Sequence, residues 1–256
     1  MKHESLRYFV TLSALCAIVF VLGLTPLGII PIGIINVTIL CIPVIIGTLL
    51  FGYKGGLILG GFFGLASTLR AFGIPTPSGS GLLENLKAAN PLLVLPLSLL
   101  PRLCFPLVSW GVYRLVSAQN RSLFPNTPLG RVADSIVFIV LFPVAFILLY
   151  AFKLIPIWGT LIGFAFFIVF ELAFASRDDH FAIILSSAAG SLTNTVLYLG
   201  LMLLFYKAAG LYNNAIFATI KSVCIIAGGT EAMAAAALTG PIIKALRSAK
   251  LDFKEK

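Results

Sequence analysis

The chain has 256 residues, of which 59% are hydrophobic and only 11% are charged. A soluble domain usually carries about 25% charged residues, so this chain has too few to cover a surface facing water. The formal net charge of +9 comes from 18 lysines and arginines dispersed between long apolar runs. Nucleic-acid binders instead cluster their basic residues on one face. A soluble globular protein is excluded, and orientation in a bilayer explains the charge better than a nucleic-acid partner.

Membrane-spanning helices are the expected elements, because about 20 consecutive apolar residues cross roughly 30 Å of hydrocarbon. The candidate spans cover residues 6–24, 38–51, 55–72, 91–116, 135–152, 157–175, 181–206 and 217–246. The second span is short and the fifth and sixth are closely spaced, so the pattern predicts six to eight crossings. We expect one all-α polytopic membrane domain over residues 1–256, whose first helix is retained rather than removed as a signal peptide.

The distribution of basic residues predicts the orientation, because lysine and arginine are enriched in cytoplasmic loops. With both termini in the cytoplasm, most basic residues fall inside, whereas Lys87, Lys153, Lys207 and Lys221 fall outside. Omitting the fifth and sixth spans as a pair changes no other assignment. We expect a multi-pass protein of a bacterial cell membrane with both termini cytoplasmic.

Two segments on the outer side are rich in proline and glycine and are expected to be irregular. They cover residues 25–36 and 73–90. Unpaired backbone cannot face lipid, so these segments are predicted to fold over the outer mouth of the bundle. They form either a lid or two ordinary connecting loops, and their length fits both.

Arg102 is a charged residue inside the fourth span, and such residues usually face the bundle interior and mark a site or an ion pair. Its guanidinium is suited to holding a carboxylate or phosphate through two contacts. Glu231, in the last span, is the obvious internal partner. Ligand recognition is favoured over a purely structural salt bridge.

The seventh span carries a polar stripe at helical spacing, made of Ser187, Ser191, Asn194 and Thr195. These residues share one helix face. The stripe either binds a polar ligand or joins helices, since serine, threonine and asparagine serve both purposes. Ligand contact is favoured for Asn194 and packing for the serines.

Small residues four positions apart allow helices to approach closely. Gly56, Gly60 and Gly64 form such a ridge on the third span, and Ser13 with Ala17 forms a weaker one on the first. Internal packing is the simple explanation of both, and the ridge on the first helix is also suited to a partner.

Several catalytic and binding motifs are missing from the sequence. It contains no phosphate-binding loop, no H-E-x-x-H and no G-x-S-x-G, and its four cysteines lie in apolar runs without metal-ligand spacing. No catalytic residue, metal ligand or cofactor is therefore predicted. A membrane-embedded enzyme using Asp178, Asp179 and His180 is the alternative, although charged clusters at helix starts are usually solvated ends.

Several stretches resemble the substrate-binding (S) components of energy-coupling factor (ECF) vitamin transporters, the pantothenate-type members most of all. They are residues 25–33, 38–47 and 60–67 in the first half, and residues 101–114, 190–197, 229–232 and 244–246 in the second. The likeness covers nearly the whole chain except residues 134–177, an insertion whose two apolar runs suit a transmembrane hairpin or two interfacial helices. The family usually has histidine where this chain has Cys41.

This resemblance implies a six-helix bundle, with eight helices if the insertion crosses the membrane. It implies a non-enzymatic subunit that captures a small anionic vitamin, pantothenate first, and topples in the membrane to release it. ATP would be used by two ATPase subunits that act through a transmembrane coupling subunit. The expected docking residues are Ser13 and Ala17. The expected substrate-binding residues are Arg102, Asn194, Thr195, Glu231, Asn36, Thr38 and Cys41.

Overall fold

The computed structural model describes residues 2–32, 35–74, 81–118, 179–249, 251 and 253. The helices of these residues are α1 (Lys2–Leu24), α2 (Cys41–Ala71), α3 (Gly81–Ala89), α4 (Val94–Ala118), α5 (His180–Ala208) and α6 (Asn214–Ser248). All except α3 are long and apolar enough to cross a membrane. The prediction of an all-α integral membrane bundle is confirmed. The proposed insertion at 134–177 lies outside the described residues.

Helix α2 reverses direction at Gly52, where φ is 75° and ψ is −173°. Glycine adopts this positive φ without the steric penalty that a Cβ would bring. A methyl group at Gly47 would collide with Leu59, yet these positions would lie about 18 Å apart in one straight helix. Helix α2 therefore consists of two antiparallel limbs, 41–51 and 53–71. They match the second and third predicted spans. Together with α1, α4, α5 and α6, the two limbs give the described residues the six helical segments of a six-helix bundle.

The boundaries of the helices follow from capping residues and prolines. Helix α1 ends just before Pro26, which cannot continue a helix. The side chain of Asn90 accepts a hydrogen bond from the backbone N–H of Leu92 at 3.1 Å ahead of α4. Asn213 does the same for Ile216 at 2.8 Å at the start of α6. Both asparagines satisfy amides that the first helical turn leaves unpaired.

Residues 25–36 and 73–90 were expected to be irregular, and that expectation was wrong for most of their described residues. In the second segment, Gly81–Ala89 form α3. In the first segment, a 3₁₀ turn (Pro26–Gly28) leads into an antiparallel pair of short strands, β1 (Ile29–Ile32) and β2 (Ile35–Thr38). β-branched residues dominate both strands and favour extended backbone. Pro31 is opposite Asn36. Counted from the hydrogen-bonded Gly28–Ile39 pair, this pair is non-hydrogen-bonded, so the missing N–H of proline is tolerated there.

The long helices pack in a closed order. Helix α1 contacts α2, α2 contacts α4, α4 contacts α5 and α5 contacts α6, which returns to contact α2 and β2. The glycine ridge of the second α2 limb packs against α4, since added methyl groups at Gly56, Gly60 and Gly64 would meet Pro106, the Arg102 carbonyl and Leu99. This ridge therefore serves internal packing.

The two ends of the bundle are built differently. At the terminal end, the Tyr8 ring lies 5.0 Å from that of Phe51 and 5.6 Å from that of Phe253, between centroids. Both chain termini therefore approach the same end. The opposite end, here called the hairpin end, carries β1, β2 and α3. There the Tyr206 hydroxyl donates to the Leu82 carbonyl at 2.6 Å and fixes α3 to α5.

Candidate functional site

Arg102 lies on α4 between two prolines, Pro101 and Pro106. A proline has no N–H, so each one leaves the carbonyl four residues earlier without its helical donor. Pro101 frees the carbonyl of Leu97, and Arg102 Nη1 donates to it at a long 3.4 Å. Pro106 frees the carbonyl of Arg102 itself, which packs directly against Gly60. The two prolines thus remove the helical donors of two carbonyls, of which one accepts from Arg102 and the other packs against Gly60.

The Arg102 guanidinium is enclosed by aromatic faces. Its Cζ lies 4.4 Å from the ring centroid of Tyr198 on α5 and 5.2 Å from that of Phe63 on α2. The residue is 9% exposed. Stacking on aromatic rings stabilises a desolvated guanidinium while leaving its edge available to an anion. Arg102 Nε is buried and has no hydrogen-bond partner.

Glu231 does not form an ion pair with Arg102 among the described residues. Its Oε1 accepts from the backbone N–H of Thr38 at 2.8 Å, and its Oε2 accepts from the Thr195 hydroxyl at 2.9 Å. Arg102 and Glu231 still attract each other through space. The carboxylate therefore joins α5, α6 and the end of β2 directly, and the guanidinium keeps its edge free.

Asn194 and Cys41 meet one helical turn from Tyr198. The Asn194 Nδ2 group donates to the Cys41 sulfur at 3.4 Å, and Asn194 Oδ1 is buried without a partner. Asn194 and Tyr198 are four residues apart and share a face of α5. The unpaired acceptor of Asn194 and the unpaired donor of Arg102 therefore border the same part of the bundle.

The structure brings most of the predicted site residues together. Two hydrogen-bonded sets lie beside Arg102: Thr195 and Thr38 both donate to Glu231, and Asn194 donates to Cys41. Asn36 lies nearby in β2, opposite Pro31.

The two serines of the polar stripe are buried and lie beyond Asn194, towards the terminal end. The Ser187 hydroxyl donates to the Ile183 carbonyl of its own helix at 2.7 Å, and the Ser191 hydroxyl has no partner. The packing role favoured for the serines stays a prediction.

The remaining predicted residues lie away from this group. Ser13 and Ala17 are exposed on the outer face of α1. At the terminal end, Asp179 forms an ion pair with Arg247 and accepts from the Tyr113 hydroxyl at 3.0 Å. Asp178 lies outside the described residues. The described residues contain no group of three or more histidine, cysteine and acidic side chains suited to a metal.

Sequence reasoning missed the two aromatic neighbours of Arg102. Tyr198 continues the polar stripe one turn beyond Asn194, and Phe63 follows Gly60 by three residues on the face that approaches α4. Helical spacing was thus a usable signal for Tyr198. Phe63 carried none, because aromatic residues are frequent throughout the spans.

These features define a multi-pass, all-α membrane protein with a polar site buried between its helices. The family model described as ECF transporter, substrate-specific component, matches residues 7–243. The chain belongs to this family and is the substrate-binding subunit of an ECF transporter. Members bind small-molecule substrates and work with a coupling subunit and ATPases, in a role that is transport rather than catalysis. A search of curated proteins found no match.

The aromatic enclosure predicts that Tyr198→Leu weakens substrate binding by roughly threefold to tenfold, because a desolvated cation–π contact is lost. Tyr198→Phe keeps the ring and should bind within about twofold of the wild type. Mass spectrometry of copurifying material identifies the substrate, and titration of purified variants gives the dissociation constants. Tyr212→Leu, which removes an exposed ring, is the control. Equal losses in the phenylalanine and leucine variants would assign the effect to the hydroxyl.

Proposed function

We propose that the substrate is a small, anionic, water-soluble vitamin, with pantothenate as the first candidate. The supporting observation is a complementary pair of unpaired polar atoms: Arg102 Nε lacks an acceptor and Asn194 Oδ1 lacks a donor. Buried polar groups are rarely left unsatisfied. A substrate that brings an anionic acceptor to Arg102 and a hydroxyl or amide donor to Asn194 completes both.

Pantothenate carries these groups on one short molecule, because it has a carboxylate at one end and hydroxyl and amide donors along its length. In this proposal its carboxylate binds the Arg102 guanidinium and its donors bind Asn194 and Thr195. Another vitamin or precursor with the same anion and donor pattern is the alternative substrate. Cys41, in place of the histidine usual in pantothenate-type members, is the position at which the pocket differs from theirs.

The proposed orientation places the terminal end in the cytoplasm and the hairpin end outside. The excess of basic residues on the inner side supports it. The hairpin and α3 then lie on the outer side of the site, where the vitamin is captured. Release to the cytoplasm follows when the subunit topples against its coupling partner.

Arg102→Ala is expected to weaken vitamin binding by roughly tenfold to a hundredfold, because a charge-assisted contact is worth about 1.5–3 kcal/mol. Arg102→Lys should recover little, since lysine keeps the charge but loses the planar fork. Isothermal titration with pantothenate measures both. Arg114→Ala removes an exposed guanidinium from the same helix and is the matched control. Unchanged affinity in folded Arg102→Ala would leave a purely structural role for this residue.

The subunit alone is expected to bind vitamin without concentrating it, because its sequence has no nucleotide-binding loop and no convincing proton or sodium relay. Reconstitution into liposomes, with and without the coupling subunit and ATPases, measures uptake of labelled pantothenate. ATP-dependent accumulation should require the partners. Accumulation by the isolated chain under a proton or sodium gradient would instead identify a secondary transporter.

The exposed face of α1 is proposed as the surface that docks onto the coupling subunit. Small side chains at Ser13 and Ala17 permit close approach of a second helix. Ala17→Trp should abolish ATP-dependent uptake and leave vitamin affinity unchanged, because it adds volume to an exposed position away from Arg102. Leu204→Trp adds volume at another exposed apolar position, 61% exposed on α5, and controls for bulk. Wild-type uptake in Ala17→Trp would exclude this face, and a parallel loss of affinity would assign it to internal packing.

A further inference from the structure

We propose that Glu231 is a positioning residue and does not serve as the counter-ion of Arg102. It holds the β-hairpin on the helix bundle through its hydrogen bonds with Thr38 and Thr195, here called the latch. This inference rests on the family assignment and deepens the proposed function, because the hairpin would cover the substrate site. The carboxylate is 8% exposed. It lies on α6 and joins that helix to both β2 and α5.

The register of the hairpin explains why Thr38 can reach Glu231. The Ile39 N–H donates to the Gly28 carbonyl at 3.1 Å, so these two residues form a hydrogen-bonded pair. Such pairs alternate along an antiparallel ladder. The next pair, Ile29 with Thr38, is therefore non-hydrogen-bonded, and the Thr38 N–H points away from β1. Glu231 supplies the acceptor that the ladder cannot.

Without an acceptor, the part-buried Thr38 N–H would cost about 1–3 kcal/mol. The hairpin therefore gains a fixed position when the Thr38 N–H meets the carboxylate. The second oxygen of Glu231 is held by Thr195, whose hydroxyl also approaches the Ser191 carbonyl at 3.3 Å. The latch is thus anchored to a rigid helix and closes on a backbone group of the hairpin.

The residues of the latch are close in sequence to the proposed substrate contacts, both on α5 and in the segment 38–41. Thr195 follows Asn194 on α5, and Cys41 lies three residues after Thr38. The Asn194–Cys41 contact and the Thr195–Glu231–Thr38 contact therefore fix the same short segment, 38–41, to α5 and α6. A ligand bound beside Asn194 therefore lies next to the segment that this carboxylate holds in place.

Substitutions separate the latch from a charge effect. Glu231→Gln removes the charge but keeps an oxygen for the Thr38 N–H and an amide that can donate to the Thr195 hydroxyl. Glu231→Ala removes both. Thr38→Pro removes the donor from the other side, at a position where the ladder does not use it and where proline is tolerated. Thr38→Val keeps the N–H and, like proline, lacks the hydroxyl that also contacts Glu231, so it is the matched control.

The test is hydrogen–deuterium exchange of the peptide covering residues 29–38, measured on the full-length protein in nanodiscs without ligand. Exchange rates report the opening equilibrium of this segment. Glu231→Ala and Thr38→Pro should each speed exchange by about tenfold or more, and the double variant should add nothing further. Glu231→Gln and Thr38→Val should stay within about threefold of the wild type.

Two results would overturn the latch: unchanged exchange in both Glu231→Ala and Thr38→Pro, or Glu231→Gln exchanging as fast as Glu231→Ala. If Glu231→Ala fails to fold, Thr38→Pro against Thr38→Val carries the same decision, because neither changes a helix. A parallel titration of the wild type with pantothenate separates this inference from the proposed substrate. Absent binding would reject pantothenate, whereas the exchange pattern would still decide the latch.

Discussion

The buried guanidinium of Arg102 is the constraint around which the site is arranged. A charge in a membrane-spanning segment costs several kcal/mol unless the bundle interior receives it. Pro101 supplies a free carbonyl, Tyr198 and Phe63 supply aromatic faces, and Gly60 allows α2 to approach closely enough to bring Phe63 there. These contacts partly compensate the charge, and Nε remains unpaired.

The separation of Arg102 from Glu231 fits the proposed anion site. A direct ion pair between them would satisfy both groups and leave no reason for an anionic ligand to bind, since the ligand would have to displace an internal carboxylate. The structure instead commits both carboxylate oxygens to Thr38 and Thr195. Glu231 therefore bonds to the hairpin and to α5, and in the proposed function Arg102 remains available to an anionic substrate.

Contacts at the terminal end hold together the helices that carry the site. Asp179 at the start of α5, Tyr113 on α4 and Arg247 on α6 form one hydrogen-bonded group, with Arg247 Nη2 donating to the Tyr113 hydroxyl at 3.1 Å. Stacking of Phe51 on Phe253, at 5.2 Å between centroids, holds the C-terminal segment to the first limb of α2. The helices that carry Arg102, Asn194 and Glu231 are thus tied together at the end farthest from the hairpin.

The sequence alone determined the membrane class and the spans that fall among the described residues, because hydrocarbon thickness dictates the length of apolar runs. It also selected Arg102, Asn194 and Glu231, because polar groups in such runs are conspicuous. It did not show that residues 29–38 form a hairpin, that Tyr198 and Phe63 enclose Arg102, or that Glu231 bonds to Thr38. Those facts depend on which helix faces meet and on strand register, and only packing between segments distant in the chain decides them.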